Sequence, residues 1–180
     1  MGLFRRVAVL MGGPSEEREV SLRSGRAVAA GLRMAGYEVN EVVVGNTLPD
    51  LPPGTEAVFI ALHGQFGEDG QVQCWLQQRG IPYTGSGPES SAAAFDKRIS
   101  KRILDSESIP TPPWALVRQG QACPLSFPVV VKPPQQGSSI GAAKVMKEAE
   151  WAPALAAALR YGDEALVEAF IPGRELTVGL

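Results

Sequence analysis

Three glycine-rich turns, each set behind an apolar run, hold most of the residues in this 180-residue chain that could do chemistry. The first is Gly12-Gly13-Pro14-Ser15, after the run Arg6 to Met11. Backbone N–H groups at the start of a helix there could hold an anion. The turn is not GxGxxG, because counting from Gly12 the third position is Pro14, so a ligand turn and a purely structural one both stay open. The second runs from Leu62 through His63, Gly64, Gln65, Phe66 and Gly67 to Glu68-Asp69-Gly70 and contains the only histidine. Its place at the carboxyl end of a strand, where open α/β sheets bind ligands, favours a site over a surface histidine. Glu68 and Asp69 read as acids at the start of the helix that follows.

The third turn is the richest. A valine run delivers Lys132, and Gly137-Ser138-Ser139-Ile140-Gly141 follows within ten residues. A lysine supplies a point charge, and small residues let backbone amides close on a ligand, which is what nucleotide phosphates need. The order GxxxxGK[ST] is missing, so this is no Walker loop; the competing reading is an exposed hairpin tip. Asp96-Lys97-Arg98-Ile99-Ser100-Lys101-Arg102 is a fourth feature. Helical spacing predicts Ile99 and Ile103 facing inward and the basic residues outward, with one lysine free to reach a phosphate, though spacing does not choose which. Glu168 and Glu175 flank Pro172-Gly173 as strand-end acids or as acceptors for a sugar or base, and physics alone leaves both readings open.

These residues need elements to hold them. Arg6 to Met11 reads as a buried parallel strand, followed by a helix with an apolar stripe of Val20, Ala27, Val28, Leu32 and Ala35 that Gly36 ends. Strands at Tyr37 to Val44, Ala57 to Leu62 and Ile81 to Thr84, with a helix at Val72 to Gln78, complete the pattern of an open α/β sheet. After Gly85-Ser86-Gly87-Pro88 the pattern changes to helices at Ser90 to Phe95 and Asp96 to Asp105. Pro110, Pro112 and Pro113 then lead into a second domain. Its strands are Trp114 to Val117, Phe127 to Lys132, Ala142 to Met146 and Ala165 to Ile171, the middle pair forming a hairpin. A helix spans Trp151 to Leu159. The final run, Glu175 to Leu180, is strand-like and apolar, and the native protein is expected to continue past it.

Composition narrows the function classes. With 17 Lys+Arg against 19 Asp+Glu, the net charge of −2 argues against a dedicated nucleic-acid binder. The 44% hydrophobic and 20% charged residues describe a globular chain with a sizeable core, and 20 Gly with 15 Pro demand many turns. Cys74 and Cys123 sit in no CxxC pair, which excludes a zinc or disulfide framework; both are expected to be buried thiols of a reducing cytoplasm. There is no signal-peptide pattern and no apolar run of membrane length. Gly2 does not complete a myristoylation motif because position 6 is Arg6.

Taken together, Val9-Leu10-Met11-Gly12-Gly13-Pro14-Ser15-Glu16-Glu17-Arg18-Glu19-Val20-Ser21, Phe59-Ile60-Ala61-Leu62-His63-Gly64 through Gly67-Glu68-Asp69-Gly70, Pro82-Tyr83-Thr84-Gly85-Ser86-Gly87, Asp96-Lys97 and Val131-Lys132-Pro133 through Gly141 closely resemble the D-alanine–D-alanine ligases of the ATP-grasp superfamily. The resemblance implies an α/β fold: an open parallel-sheet N-terminal (pre-ATP-grasp) substrate domain at 1–87, the small α+β ATP-grasp domain at 88–168, and the start of a truncated large ATP-grasp domain at 169–180. It implies ATP-dependent joining of two D-alanines through an acyl phosphate, for peptidoglycan. ATP and Mg²⁺ (or Mn²⁺) are the implied cofactors, in a cytoplasmic enzyme that is a homodimer at full length and has no nucleic-acid or membrane partner.

Residue by residue, the resemblance implies that Glu17 holds the ammonium of the first D-alanine and His63 lies beside that substrate. Lys97 and Lys132 contact ATP phosphates. Gly137, Ser138 and Ser139 form the phosphate loop, with Ser138 also positioning Glu17. Glu168 lies at the adenine-binding linker and Glu175 takes the ribose hydroxyls. Ala169 departs from the pattern, since many members carry lysine there. The metal-binding acids and asparagine are expected beyond Leu180, so the chain alone is expected to be inactive. A D-alanine–D-lactate or D-alanine–D-serine ligase shares these motifs, and a non-catalytic nucleotide-binding fragment is the rival from another class.

Overall fold

A computed structural model describes residues 4–176. Its contacts divide the chain into two units, Met1–Asp96 and Lys97–Leu180. In the first, β1 (Arg6–Gly12) lies between β2 (Glu38–Val44) and β3 (Ala57–Ile60) and runs parallel to both, Val7 pairing with Val39 on one side and Ala57 on the other. A strand covered on both faces must be apolar without alternation, as Val7 to Met11 is. Val9 and Met11 pack with Ala29 of α1 (Arg18–Met34), whereas Ala8 and Leu10 pack with Val72, Trp75 and Leu76 of α2 (Gln71–Gln78). Helix α3 (Pro88–Phe95) closes the unit, with proline in its first turn. The expected strand at Ile81 to Thr84 is reduced to one parallel bridge, Val58 with Tyr83.

Helix α1 corrects the predicted stripe. Val28 and Leu32 pack against the core, but Val20, Ala27 and Ala35 are exposed, and the fully buried positions are Ser21, Gly25 and Ala29. Small residues at a spacing of four let the helix axis come close to β1. A Cβ built on Gly25 would stand 2.5 Å from Met11 Cβ. Cys74 is corrected too. It is exposed, because α2 spends its buried face on Val72, Gln73, Trp75 and Leu76; Cys123 is half-buried.

The second unit is a four-stranded antiparallel sheet in the order β4-β7-β5-β6. Its strands are β4 (Trp114–Val117), β5 (Val129–Lys132), β6 (Ala143–Val145) and β7 (Ala165–Ala169), and β5 and β6 form the expected hairpin with Val129 opposite Val145. Side chains alternate between faces along each strand. One face buries Val129, Val131, Val145 and Val167 against Trp151, Leu155 and Ala158 of α5 (Trp151–Ala158). By the same alternation the other face carries Val130, Lys132, Leu166 and Glu168.

Helix α4 (Lys97–Ser106) is turned opposite to expectation: Ile99 and Ile103 are 40% and 45% exposed, while Lys101 is 6% exposed. The inversion has an electrostatic cause: Lys101 pairs with the buried Glu168. The strand expected at Glu175 to Leu180 lies partly outside the described residues, and positions 174–176 are exposed and in no regular element. Among the described residues no helix is long and apolar enough to cross a membrane.

Gly25→Ala tests the close approach of α1. Alanine gains about 1 kcal/mol of helix propensity, but overpacking Met11 costs about 1–3 kcal/mol, so urea unfolding is expected to show a lower midpoint than the parent. A raised midpoint would show that Met11 has room to move.

Candidate active site

Ser15, just ahead of α1, and the first turn of the helix itself tie together the carboxyl ends of all three parallel strands. Ser15 Oγ donates to the His63 carbonyl at 2.7 Å, just beyond β3. Arg18 Nη1 donates to the Gly13 carbonyl at 2.9 Å and the Val44 carbonyl at 2.8 Å, joining the ends of β1 and β2. Ser21 Oγ accepts from the Gly12 N–H at 2.8 Å and donates to the Ala61 carbonyl at 2.6 Å, joining β1 to β3 in a fully buried position. These contacts meet the requirement that backbone groups leaving a buried sheet find partners.

They also set the surroundings of Glu17 and His63. Gly64 has φ +65°, and a Cβ there would lie 3.1 Å from Glu17 Oε2, so the Glu17 carboxylate sits against the His63-Gly64 turn. His63 Nδ1 is 3.5 Å from Glu68 Oε1, and Nε2 is 3.5 Å from Ser24 Oγ. Asp69 accepts the Phe66 N–H at 2.8 Å and the Gln71 N–H at 3.1 Å, which makes it an acid of the turn and helix start. A carboxylate beside an imidazole in a glycine turn can receive a small ammonium-bearing ligand, the carboxylate supplying the charge partner.

In the second unit, Lys97, Lys132, Gly137, Ser138 and Ser139 line one cavity of about 300 Å³. Lys97 Nζ donates to the Gln136 carbonyl at 2.5 Å, and its backbone N–H to the Pro134 carbonyl at 3.0 Å, which anchors α4 to the start of the loop. Ser138 and Ser139 are both left-handed, with φ +48° and +61°. Two successive non-glycine residues in that region are rare, and such strain gathers at ligand-binding loops. Gly141, at φ +69°, has no space for a side chain: a Cβ would meet Pro133 and Tyr161 at 2.8 Å.

Glu168 lies behind this cavity, 7% exposed, with Lys101 on Oε1 and Lys132 on Oε2. Burial pushes its carboxyl upward, but the hydrogen bonds and charges of Lys101 and Lys132 outweigh burial and hold it below the usual carboxylate value. That pairing turns α4 around, since a buried carboxylate needs cations more than the sheet face needs two isoleucines. Glu175 is exposed beyond β7 and does not line the cavity. Ser15 stands in the first glycine turn and Lys101 in the basic stretch of α4, but their contacts, like those of Arg18 and Ser21, are not legible in the sequence alone. For Ser15, Arg18 and Ser21 the available signal was polar side chains recurring every three residues directly after a strand; for Lys101 it was a second lysine one helical turn past Lys97.

Several known proteins are similar to this chain. A family model described as D-ala D-ala ligase N-terminus matches residues 45–86, and one described as D-ala D-ala ligase C-terminus matches residues 103–180. The D-alanine–D-alanine ligase of Methylacidiphilum infernorum is 47% identical over 178 residues, which cover 99% of this chain and 59% of the relative. That of Syntrophotalea carbinolica is 48% identical over 181 residues, covering 98% and 59%. The crystal structure of the Bacillus anthracis ligase matches with a TM-score of 0.83 at 34% identity, over 94% of this chain and 59% of that one. The Helicobacter pylori ligase, at 24% identity and a TM-score of 0.80, shares the fold. This chain belongs to the D-alanine–D-alanine ligase family, within the α/β class expected from its sequence. It spans about 59% of the length of these curated relatives.

The lowered Glu168 value makes a pH prediction. A carboxyl depressed by folding adds stability that is present above its unfolded value of 4.5 and is lost as pH falls from there through the folded value. Urea unfolding of the parent is expected to lose stability more steeply below pH 4.5 than Glu168→Gln does. Glu56, held low by the Arg5 and Arg6 amides, and Glu164, held low by Arg118 and Arg98, titrate in the same window in both proteins, so the difference isolates Glu168. Equal acid slopes would mean that the pair contributes nothing.

Proposed function

We propose that the chain carries the D-alanine- and ATP-recognising part of an enzyme that joins two D-alanines for peptidoglycan. In this reading the γ-phosphoryl group of ATP passes to the carboxylate of the first D-alanine, giving an acyl phosphate and ADP. The amine of the second D-alanine then displaces phosphate and loses a proton as the peptide bond forms. The observation that carries the reading is the single cavity lined by Lys97, Lys132 and the left-handed Ser138-Ser139 pair. Two cations and a glycine-serine loop are the chemistry that a polyphosphate requires.

Glu17 takes the ammonium of the first D-alanine and His63 flanks it, a reading supported by the contact of the Glu17 carboxylate with the Gly64 turn. Gly137, Ser138 and Ser139 form the phosphate loop, Glu168 serves the adenine side, and Glu175 takes the ribose. In this reading residues 1–87 form the substrate domain, 88–168 the small ATP-grasp domain and 169–180 the start of the large one; by contacts, α3 goes with the first unit, which ends at Asp96. ATP supplies the activating phosphoryl group. Among the described residues no three His, Cys, Asp or Glu side chains are grouped so that they could hold a metal ion. The cytoplasmic location and the full-length homodimer follow from the family resemblance.

Calorimetry on the 180-residue chain tests the assignments. Losing a charged hydrogen bond to phosphate is expected to weaken ATP by about 10- to 100-fold in Lys132→Ala. Glu17→Ala should leave ATP affinity within about twofold of the parent, since Glu17 is assigned to the amino acid. Comparable losses in the two variants would overturn the roles. Phosphate release from ATP, D-alanine and Mg²⁺ by the 180 residues alone is expected at background, and turnover above it would refute the proposed inactivity.

A further inference from the structure

Lys101 is a buried lysine that none of the roles above uses. Its ammonium has three N–H donors and three acceptors: Glu168 Oε1, Thr111 Oγ1 and the Pro112 carbonyl, the last at 3.3 Å. With all three donors engaged and 7% of its side chain exposed, Lys101 offers nothing directly to a ligand. Lys132 differs. Its side chain is 26% exposed, it lines the cavity beside Ser138 and Ser139, and its ammonium contacts the other Glu168 oxygen.

The charges of this triad decide what the cavity presents. A Lys132 ammonium paired with Glu168 alone would look almost neutral to an approaching phosphate, because the carboxylate cancels it at contact distance. A second ammonium on the far oxygen restores one net positive charge and draws carboxylate density away from Lys132. We propose that Lys101 is a positioning residue for the phosphate cavity, acting through Glu168 to keep the Lys132 ammonium electrostatically effective toward a polyphosphate. The inference rests on the cavity being the phosphate site proposed above.

Inorganic tripolyphosphate is the appropriate probe, because it carries the charge of ATP without the adenine that Glu168 is assigned to serve. Calorimetry on the 180-residue chain is expected to give about tenfold weaker tripolyphosphate binding in Lys101→Met, where the triad becomes neutral. Lys101→Arg keeps the charge and should stay within about threefold of the parent. The double variant Lys101→Met/Glu168→Gln again has one net positive charge, from Lys132, and should recover to within about threefold of the parent although every ionic contact within the triad is gone.

That recovery is the deciding readout. A merely structural Lys101 predicts a double variant no better than Lys101→Met, and such a result would overturn the proposal, as would full affinity in Lys101→Met. If Lys101→Met does not fold, as judged by circular dichroism, the arginine and double variants still decide, since the double leaves no uncompensated buried charge. Binding of neither tripolyphosphate nor ATP by the parent would remove the phosphate-site reading itself. Binding by the parent without the charge pattern removes only the role of Lys101.

Discussion

A carboxylate at 7% exposure stays charged only if cations meet it, and the second unit is arranged around meeting Glu168. β7 places it on the sheet face opposite α5, and the antiparallel register with β5 brings Lys132 within reach of one oxygen. The other oxygen is reached by Lys101, which obliges α4 to turn its basic side inward and leave Ile99 and Ile103 in solvent. The same ammonium holds Thr111 and Pro112, so the proline-rich entry to β4 is fixed by the pairing as well. Lys97, one helical turn earlier on α4, is thereby carried to the loop that follows β5.

The first unit solves a different problem. Its three parallel strands all end at one edge, where backbone donors and acceptors would otherwise be left over. Ser15 just before α1, and Arg18 and Ser21 on it, satisfy them. The short Ser21 side chain reaches β1 and β3 because the small residues at Gly25 and Ala29 let α1 lie close to the sheet. Glu17 sits among these contacts, so the position of its carboxylate is a product of the same tie between helix and sheet.

What could be read from the residues followed the strength of the local pattern. The runs Val7 to Met11 and Val129 to Val131 are too apolar to be anything but buried strands, and the turns after them stand out as candidate sites because glycine and serine gather there, with Lys132 opening the second. The buried face of α1 was not legible, because serine, glycine and alanine carry little apolar weight and their burial depends on a strand they must approach. The facing of α4 was misread for a deeper reason. Periodicity assumes that isoleucine goes in and lysine out, and only the partner on β7, distant in sequence, reverses that preference. Glu168 itself was open between two roles because its neighbours are set by strand register, which no local window contains.

The left-handed serines at 138 and 139 have an energetic corollary. Each holds a backbone conformation that costs a non-glycine residue about 1–2 kcal/mol, against which stand the loop's own hydrogen bonds, Ile140 N–H to Gly137 O at 2.9 Å and Ala142 N–H to Ser139 O at 3.1 Å. At about 0.5–1.5 kcal/mol each, those two bonds roughly offset that cost rather than exceed it. Glycine would hold the same backbone more easily, so serine at both positions is a choice of hydroxyl groups over backbone ease.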